Sequence, residues 1–433
     1  MKTKLHFLLI PIIAIAGMVL YGVLTASKPK RTLQPEKGCV FMTVMGEQSS
    51  KDFGRYKSDK NIQLAVQDGL QWLSKAQLPN GGYGAGSHSA QQIRDPHAVA
   101  ADPATTAMVG MAMLRSGTTL EKGIHAQNLK KALEYLLQTI ESKEDDSIYI
   151  THIRNTQIQT KLGENIDAVL AAQFLSNILD RDLAGMDRKR IARCLDVCIA
   201  LIQDGTDVHG KQKGAGWAGV LQSGMANSAL ESAQAVGAVV DKEVLEKSKR
   251  YQKGNYNEEE GSVKTDDGAG IMLYAVSGSV RASAKEARKA RADINRAKAA
   301  GKIAADAEIN AETLEEIGYV SGAAQKYGTA YKIYESAKKT AQKDEVLDGF
   351  GNNGGEEFLS YLQTGESLLV NKDEDWKKWY DDMSGRILKI QNENGSWNGH
   401  HCITSPVFCT ATSLLLLTVE EDLLFLQKIG AED

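Results

Sequence analysis

The sequence predicts an all-α body of about six helical hairpins, carried behind an apolar N-terminal segment. Three observations predict it. Apolar residues recur at helical spacing from Asn61 onward, as in Ile62, Val66, Leu70 and Leu73, and again in Leu129, Ala132, Leu133, Tyr135 and Leu136. No alternating strand pattern interrupts them, and proline almost disappears after Pro103. A unit also recurs at a spacing of roughly 40 to 70 residues. Each unit is a helix, a loop rich in Gly and aromatics, and a second helix richer in small and apolar residues.

Composition supports one folded body. The chain has 433 residues, 42% of them hydrophobic and 24% charged, with 51 Lys+Arg against 55 Asp+Glu for a net charge of -4. This excludes a disordered, collagenous or multi-span membrane protein. The near-neutral charge gives no ground for a nucleic-acid partner. With 40 Gly and 7 Pro, the chain suits a helical repeat with glycine turns, so its length is read as one ring instead of several domains.

The first element is the apolar run at residues 5–26, long enough to span a bilayer core as a helix. Bulky Leu24 stands two positions before Ala26, which disfavours signal cleavage there. Cys39 follows Glu36-Lys37-Gly38 and lacks the apolar lead-in of a lipoprotein cysteine. Residues 1–26 are therefore expected to be a signal or, preferably, an uncleaved single-pass anchor. Lysines flank both ends (Lys2 and Lys4; Lys28, Lys30 and Lys37), so charge sets no orientation. The usual use of such anchors places the body outside the cytoplasm, with a cleaved signal and a secreted or periplasmic body as the alternative. Residues 27–58, with Pro29 and Pro35, read as a linker, and 59–430 as the body.

The first and last units are the clearest pair. Asn80-Gly81-Gly82-Tyr83-Gly84 leads to Asp102-Pro103-Ala104-Thr105-Thr106, and Asn394-Gly395-Ser396-Trp397 leads to Ser405-Pro406-Val407-Phe408-Cys409-Thr410. Asp102 and Ser405 are N-caps followed by proline at the first helical position. Four weaker units lie between, with second helices expected to start near Gly163, Gly224, Lys264 and Gly354; Gly214-Ala215-Gly216-Trp217 and Asp348-Gly349-Phe350-Gly351 supply their loops. Cys194 and Cys198, four apart, fall on one apolar helical face and read as core. The Ala-rich, basic stretch at residues 281–306 is expected to be a helical insertion with a solvated face; contact with anionic lipid is the alternative.

Gln71-Trp72-Leu73, Gln77 with Asn80-Gly81-Gly82-Tyr83-Gly84, and Gln391-Asn392-Glu393-Asn394-Gly395-Ser396-Trp397 resemble the Gln/Trp-type repeats of the squalene cyclase and protein prenyltransferase superfamily. The resemblance covers about residues 61–426, strong at the ends and faint in the middle. It implies an α/α toroid, with the N-terminal ends of the inner helices at one mouth of a central cavity. Most of the repeat's Trp, Gly and Gln are expected only to staple each loop to its neighbour.

Aligning the six inner-helix starts gives two columns at that mouth: Thr105, Ile166, Asn227, Asp267, Glu356 and Phe408, then Thr106, Asp167, Ser228, Gly268, Glu357 and Cys409. Carboxylates there either cap helices or face a ligand. Lys264-Thr265-Asp266-Asp267-Gly268-Ala269 resembles the Asp-x-Asp-Asp-Thr-Ala element of class II terpene cyclases. That resemblance gives Asp266 the proton-donating position. Lys264 replaces its first Asp, however, and a cation there keeps the carboxyl ionised, with no proton to give. The aromatic content is 6%, low for carbocation chemistry. The zinc pattern of the prenyltransferase branch is also missing. Asp196-Val197-Cys198 lies inside an apolar helix, and His400, His401, Cys402 and Cys409 share one loop and helix start. No metal or cofactor is assigned from sequence. Gly38-Cys39 and Gly46-Glu47-Gln48 are too far apart for the thioester element of another toroid family.

Two functional readings stay open. One is a membrane-anchored, exported toroid that holds a polar or polymeric ligand at an acidic mouth through Thr106, Asp167, Asn227, Glu357 and Phe408. The other is an enzyme of the same cavity, either a terpenoid-cyclase-like isomerase or a carboxylate-dependent hydrolase or lyase, with Asp266, Asp267 and Glu356 as catalytic groups.

Overall fold

The computed structural model describes residues 59–430, apart from 266, 350 and 352. Its sixteen α-helices run α1 Asp59–Ala76, α2 Pro103–Arg115, α3 Ala126–Glu141, α4 Gln157–Leu162, α5 Ile166–Leu179, α6 Arg188–Asp204, α7 Gly219–Ala235, α8 Lys242–Gly254, α9 Met272–Ala299, α10 Ala311–Glu316, α11 Ser321–Ala341, α12 Asp344–Leu347, α13 Gly355–Asn371, α14 Trp376–Lys389, α15 Pro406–Leu417 and α16 Leu423–Ile429. The strands described are Tyr256–Asn257 (β1) and Ser262–Val263 (β2), paired antiparallel. The all-α class therefore holds. No helix among the described residues is long and apolar enough to cross a membrane, and the predicted anchor at 5–26 lies outside those residues.

Two kinds of helix alternate along the chain. Those of one kind, α2, α5, α7, the first half of α9, α13 and α15, are buried on nearly every side. Each packs on the next in that order, and α15 packs back on α2. Helices of the other kind bury one stripe. Thus α3 buries Leu129, Leu133, Leu136 and Ile140 at the spacing that the sequence displays. Outside the buried six, α1 lies on α15, α3 on α2, α6 on α5, α8 on α7 and α9, α11 on α9, and α14 on α13 and α15.

Local chemistry explains where the end units begin. Asp102 accepts from Thr105 N–H at 2.7 Å to open α2, and Ser405 accepts from Phe408 N–H at 3.4 Å to open α15. Such a cap stabilises its helix by about 1 kcal/mol. The central units lack this signal. Helix α7 begins at Gly219, before the expected Gly224, and α9 at Met272, after the expected Lys264; neither has a side-chain cap. Packing fixes these starts instead. The N–H of Val220 donates to the carbonyl of Asp267, tying the start of α7 to the loop before α9.

The Gln/aromatic motif is a staple. Gln77 Nε2 donates to the Gly81 carbonyl inside its own loop and to the Asn128 carbonyl of α3, both at 2.8 Å. Gln391 repeats the arrangement, donating to Gly395 at 2.7 Å and to Ala65 of α1 at 3.0 Å. Gly81 and Gly395 have φ of 87° and 91°, and a Cβ there would lie 2.6 Å from the Lys131 carbonyl or 2.8 Å from that of Asp68. Only glycine suits both the left-handed backbone and the close approach. Tyr83 and Trp397 are buried behind these loops, but Trp217, read as their counterpart, is 67% exposed.

The charged stretch at 281–306 continues an inner helix. Helix α9 runs unbroken for 28 residues, and three of its arginines reach partners on neighbouring segments, while Arg296 near its end is exposed. Arg281 meets Glu231, Arg288 donates to the Val370 and Gln427 carbonyls, and Arg291 to those of Asn371 and Lys372. Helix propensity predicted the helix, with a solvated face; it did not reveal that carboxylates and carbonyls wait for these cations. Cys194 and Cys198 are free thiols in the core.

Candidate metal and ligand site

Helix α13 opens with Gly355, Glu356 and Glu357, and all three are buried. Glu357 turns back to accept from the Gly354 N–H at 2.7 Å, accepts from the Tyr274 hydroxyl, and lies 3.6 Å from His401 Nε2. Glu356 accepts from the Ile403 N–H at 3.3 Å. Two adjacent carboxyls out of water cannot both hold charge freely. Burial first, and the charge of Glu357 second, hold Glu356 above the ordinary carboxyl range. Burial raises Glu357 as well, with His401 opposing it.

The loop before α15 supplies the opposite wall. It is strapped down by Arg94, which donates to the Gly399 carbonyl at 3.1 Å, and by Gln157, whose Oε1 accepts from Thr404 N–H at 2.7 Å and Ser405 N–H at 3.1 Å. Within it Cys402 has φ of 55°, an unusual left-handed position for a residue with a side chain. Consecutive side chains of an extended loop diverge. Here the kink lets those of His401 and Cys402 converge, and with Glu356 they place one oxygen, one nitrogen and one sulfur ligand atom within 4.8 Å of one another. Burial and then Glu356 push the Cys402 thiol up to about 12, while Lys161 pulls the other way. Lys161 is itself buried, its ammonium 4.0 Å above the Trp217 ring.

A carboxylate, an imidazole and a thiol gathered within 4.8 Å are a donor set whose chemistry suits a zinc-class ion. Helix α13 contributes the ligand that no spacing within residues 400–409 could disclose.

The other residues singled out from sequence separate into groups. Asp167 and Asp102 form a second buried acidic corner, fully engaged by the fold. Asp167 accepts from Ala104 N–H at 3.1 Å and Gln159 Nε2 at 2.6 Å, and Asp102 accepts from Thr105 and Ala85 N–H groups. Burial, then Asp167, pushes Asp102 up to about 7 against those donors. Thr106 is part of the staple, accepting from the Tyr83 N–H at 2.9 Å, as Thr410 does from Trp397. Phe408 is wholly buried, and its ring lies beside Gly355. Asn227 lies well inside α7, beyond its first two turns, and its amide has no hydrogen-bond partner among the described residues. Asp267 belongs to the loop before α9, where Lys211 at 2.6 Å and Tyr251 at 2.7 Å occupy its carboxylate. It shares no hydrogen-bond partner with Glu356 among the described residues. Asp266 lies outside them. Sequence reasoning missed Lys161 and Tyr274, which carry no motif of their own.

No family model matches the chain, and no curated protein matches its sequence.

Proposed function

We propose that the described body is an α/α toroid, related to the squalene cyclase and prenyltransferase architecture, that binds a ligand at one mouth of its ring. The cyclic succession of six buried helices and the paired staples support the toroid. The observation that carries the functional reading is the convergence of Glu356, His401 and Cys402. Their first ligand is a zinc-class divalent cation, with room for a further ligand because His401 and Cys402 are only half-buried. Such an ion supplies Lewis acidity and positive charge where the fold has gathered acid groups. The chain's own residues do the rest. Glu357 holds His401 in place, Tyr274 donates to Glu357, and Lys161 stands beside Cys402. The apolar run at 5–26 fits an anchor that keeps this body at a membrane, outside the cytoplasm.

The enzymatic reading draws on the same corner. It is the metal-free alternative: with no ion bound, Glu356, held above its ordinary range, keeps a proton it can donate, as general acid chemistry requires. The test is zinc titration of the metal-stripped full chain by calorimetry, with metal analysis of the dialysed protein. One equivalent per chain is expected, weakened at least about tenfold in His401→Ala and Cys402→Ser. Equal binding by the double variant would sink the metal reading. Absence of zinc binding by wild type, with loss of a measured turnover in Glu356→Gln, would favour the enzyme.

A further inference from the structure

We infer that the cleft between α8, the second half of α9 and α11 is a binding site for a phosphate- or sulfate-bearing small molecule. The cleft has a volume of about 540 Å³ and lies apart from the Glu356 corner. Five lysines line it, Lys242, Lys249, Lys285, Lys289 and Lys326, against two carboxylates, Glu246 and Glu286, an excess of three positive charges.

The carboxylates are already spent on the fold. Glu246 holds Lys326 at 2.7 Å, Glu286 is held from behind by Lys253 at 2.5 Å and meets Lys326 at 3.3 Å, and Lys289 pairs with Asp293 of its own helix at 3.2 Å, which leaves Lys242 and Lys285 as the unpaired cations of the cleft among the described residues. Behind the cleft, Glu231 takes Lys249 at 2.9 Å together with Arg281. Lys285 and Lys242 form no hydrogen bond or ion pair among the described residues, and Lys285 is half-buried. Ammonium groups packed around one concavity repel each other unless an anion sits between them. The Tyr327 ring, 5.8 Å from Lys326 and 5.9 Å from Lys289, and Leu245 give the cleft an apolar wall. A wall of that kind suits the organic part of a phosphate or sulfate ester, and the volume is that of an ordinary small-molecule site. None of the five lysines belongs to a recognisable phosphate motif, since they come from three helices.

The test is calorimetric titration of the purified full chain with inorganic pyrophosphate, for wild type and for Lys242→Gln/Lys285→Gln. Neither lysine forms a hydrogen bond or ion pair among the described residues, and Lys285 adds only to the field that Arg281 and Lys249 set on Glu231, so the unliganded melting temperature should change little. Saturable binding at one site per chain, weakened at least about tenfold in the double variant, is expected. Absence of saturable binding at millimolar pyrophosphate, or equal binding by the double variant, would overturn the assignment. Short-chain phosphatidic acid below its micellar concentration separates two sources of the same chemistry. Tighter binding of that lipid than of pyrophosphate, sensitive to the same substitutions, assigns the site to a lipid headgroup; the reverse order assigns it to a soluble ester.

Discussion

Consider replacing Glu231 by Gln. Glu231 is 4% exposed, Arg281 2% and Lys249 5%, so three charges share a space nearly free of water. Burial alone would raise the Glu231 carboxyl; Arg281 first and Lys249 second overrule it and bring it from 4.5 down to about 2. At about 1.36 kcal/mol per pH unit, that displacement makes its ionised form contribute about 3 kcal/mol to folding. The sign follows from the depressed folded value. The contribution is complete above the unfolded value near 4.5 and is lost as pH falls towards 2. Glu231→Gln removes the carboxylate and leaves Arg281 charged in the core, at a cost of about 3 to 5 kcal/mol. Arg281→Met should cost a similar amount by leaving Glu231 with Lys249 alone. Glu231→Leu with Arg281→Met and Lys249→Met removes all three charges and should recover most of the loss. Urea unfolding at pH 7 measures the cycle, and a scan from pH 5 to 2 measures the acid limb. A cost below about 1 kcal/mol for Glu231→Gln, with the acid limb unchanged, would refute the reasoning.

Three further outcomes follow from the same structure. Gly395→Ala should destabilise by about 2 kcal/mol or more, since the new Cβ meets the Asp68 carbonyl at a left-handed position, and chemical denaturation reads it directly. Asn227→Leu should be neutral or stabilising by about 1 to 2 kcal/mol, because it replaces an amide that has no partner among the described residues; a lower melting temperature would show that the amide is engaged by a ligand. Asp102→Ala should cost about 2 kcal/mol or more, since it strips the acceptor from two backbone N–H groups and the Thr105 hydroxyl. Circular dichroism melts would contradict this if the variant matched wild type.

The end units were legible because their signals are local. An Asx or Ser cap, a proline after it and a glycine turn lie within a few residues of one another; α13 starts beside the expected Gly354 without a side-chain cap or proline. The central units begin where packing, not capping, ends a loop, so Gly219 and Met272 carry no mark. Asp267 illustrates the consequence. It was placed at a helix start, but it precedes the helix, and Lys211 and Tyr251 claim it from other segments. The candidate site was half legible. Glu356 and Glu357 stood out as acids at a helix start. The approach of His401 and Cys402 depends on a left-handed residue at Cys402, which sequence does not encode in any simple pattern. The basic run of α9 was visible as composition, but its partners come from α7, α13 and α16.

The bond from Gln391 to Ala65 joins residues 326 positions apart. At a synthesis rate of roughly 5 to 20 residues per second, helix α1 emerges tens of seconds before the segment that covers it. During that interval its apolar stripe, which includes Leu70 and Leu73, has no permanent neighbour. An open row of helical units can mature from one end and frays only at its tips. A chain whose last unit seats the first gains its final order late and in one step. A nascent protein stopped short of Trp397 would therefore leave two unfinished edges instead of one, and both would invite protease or aggregation.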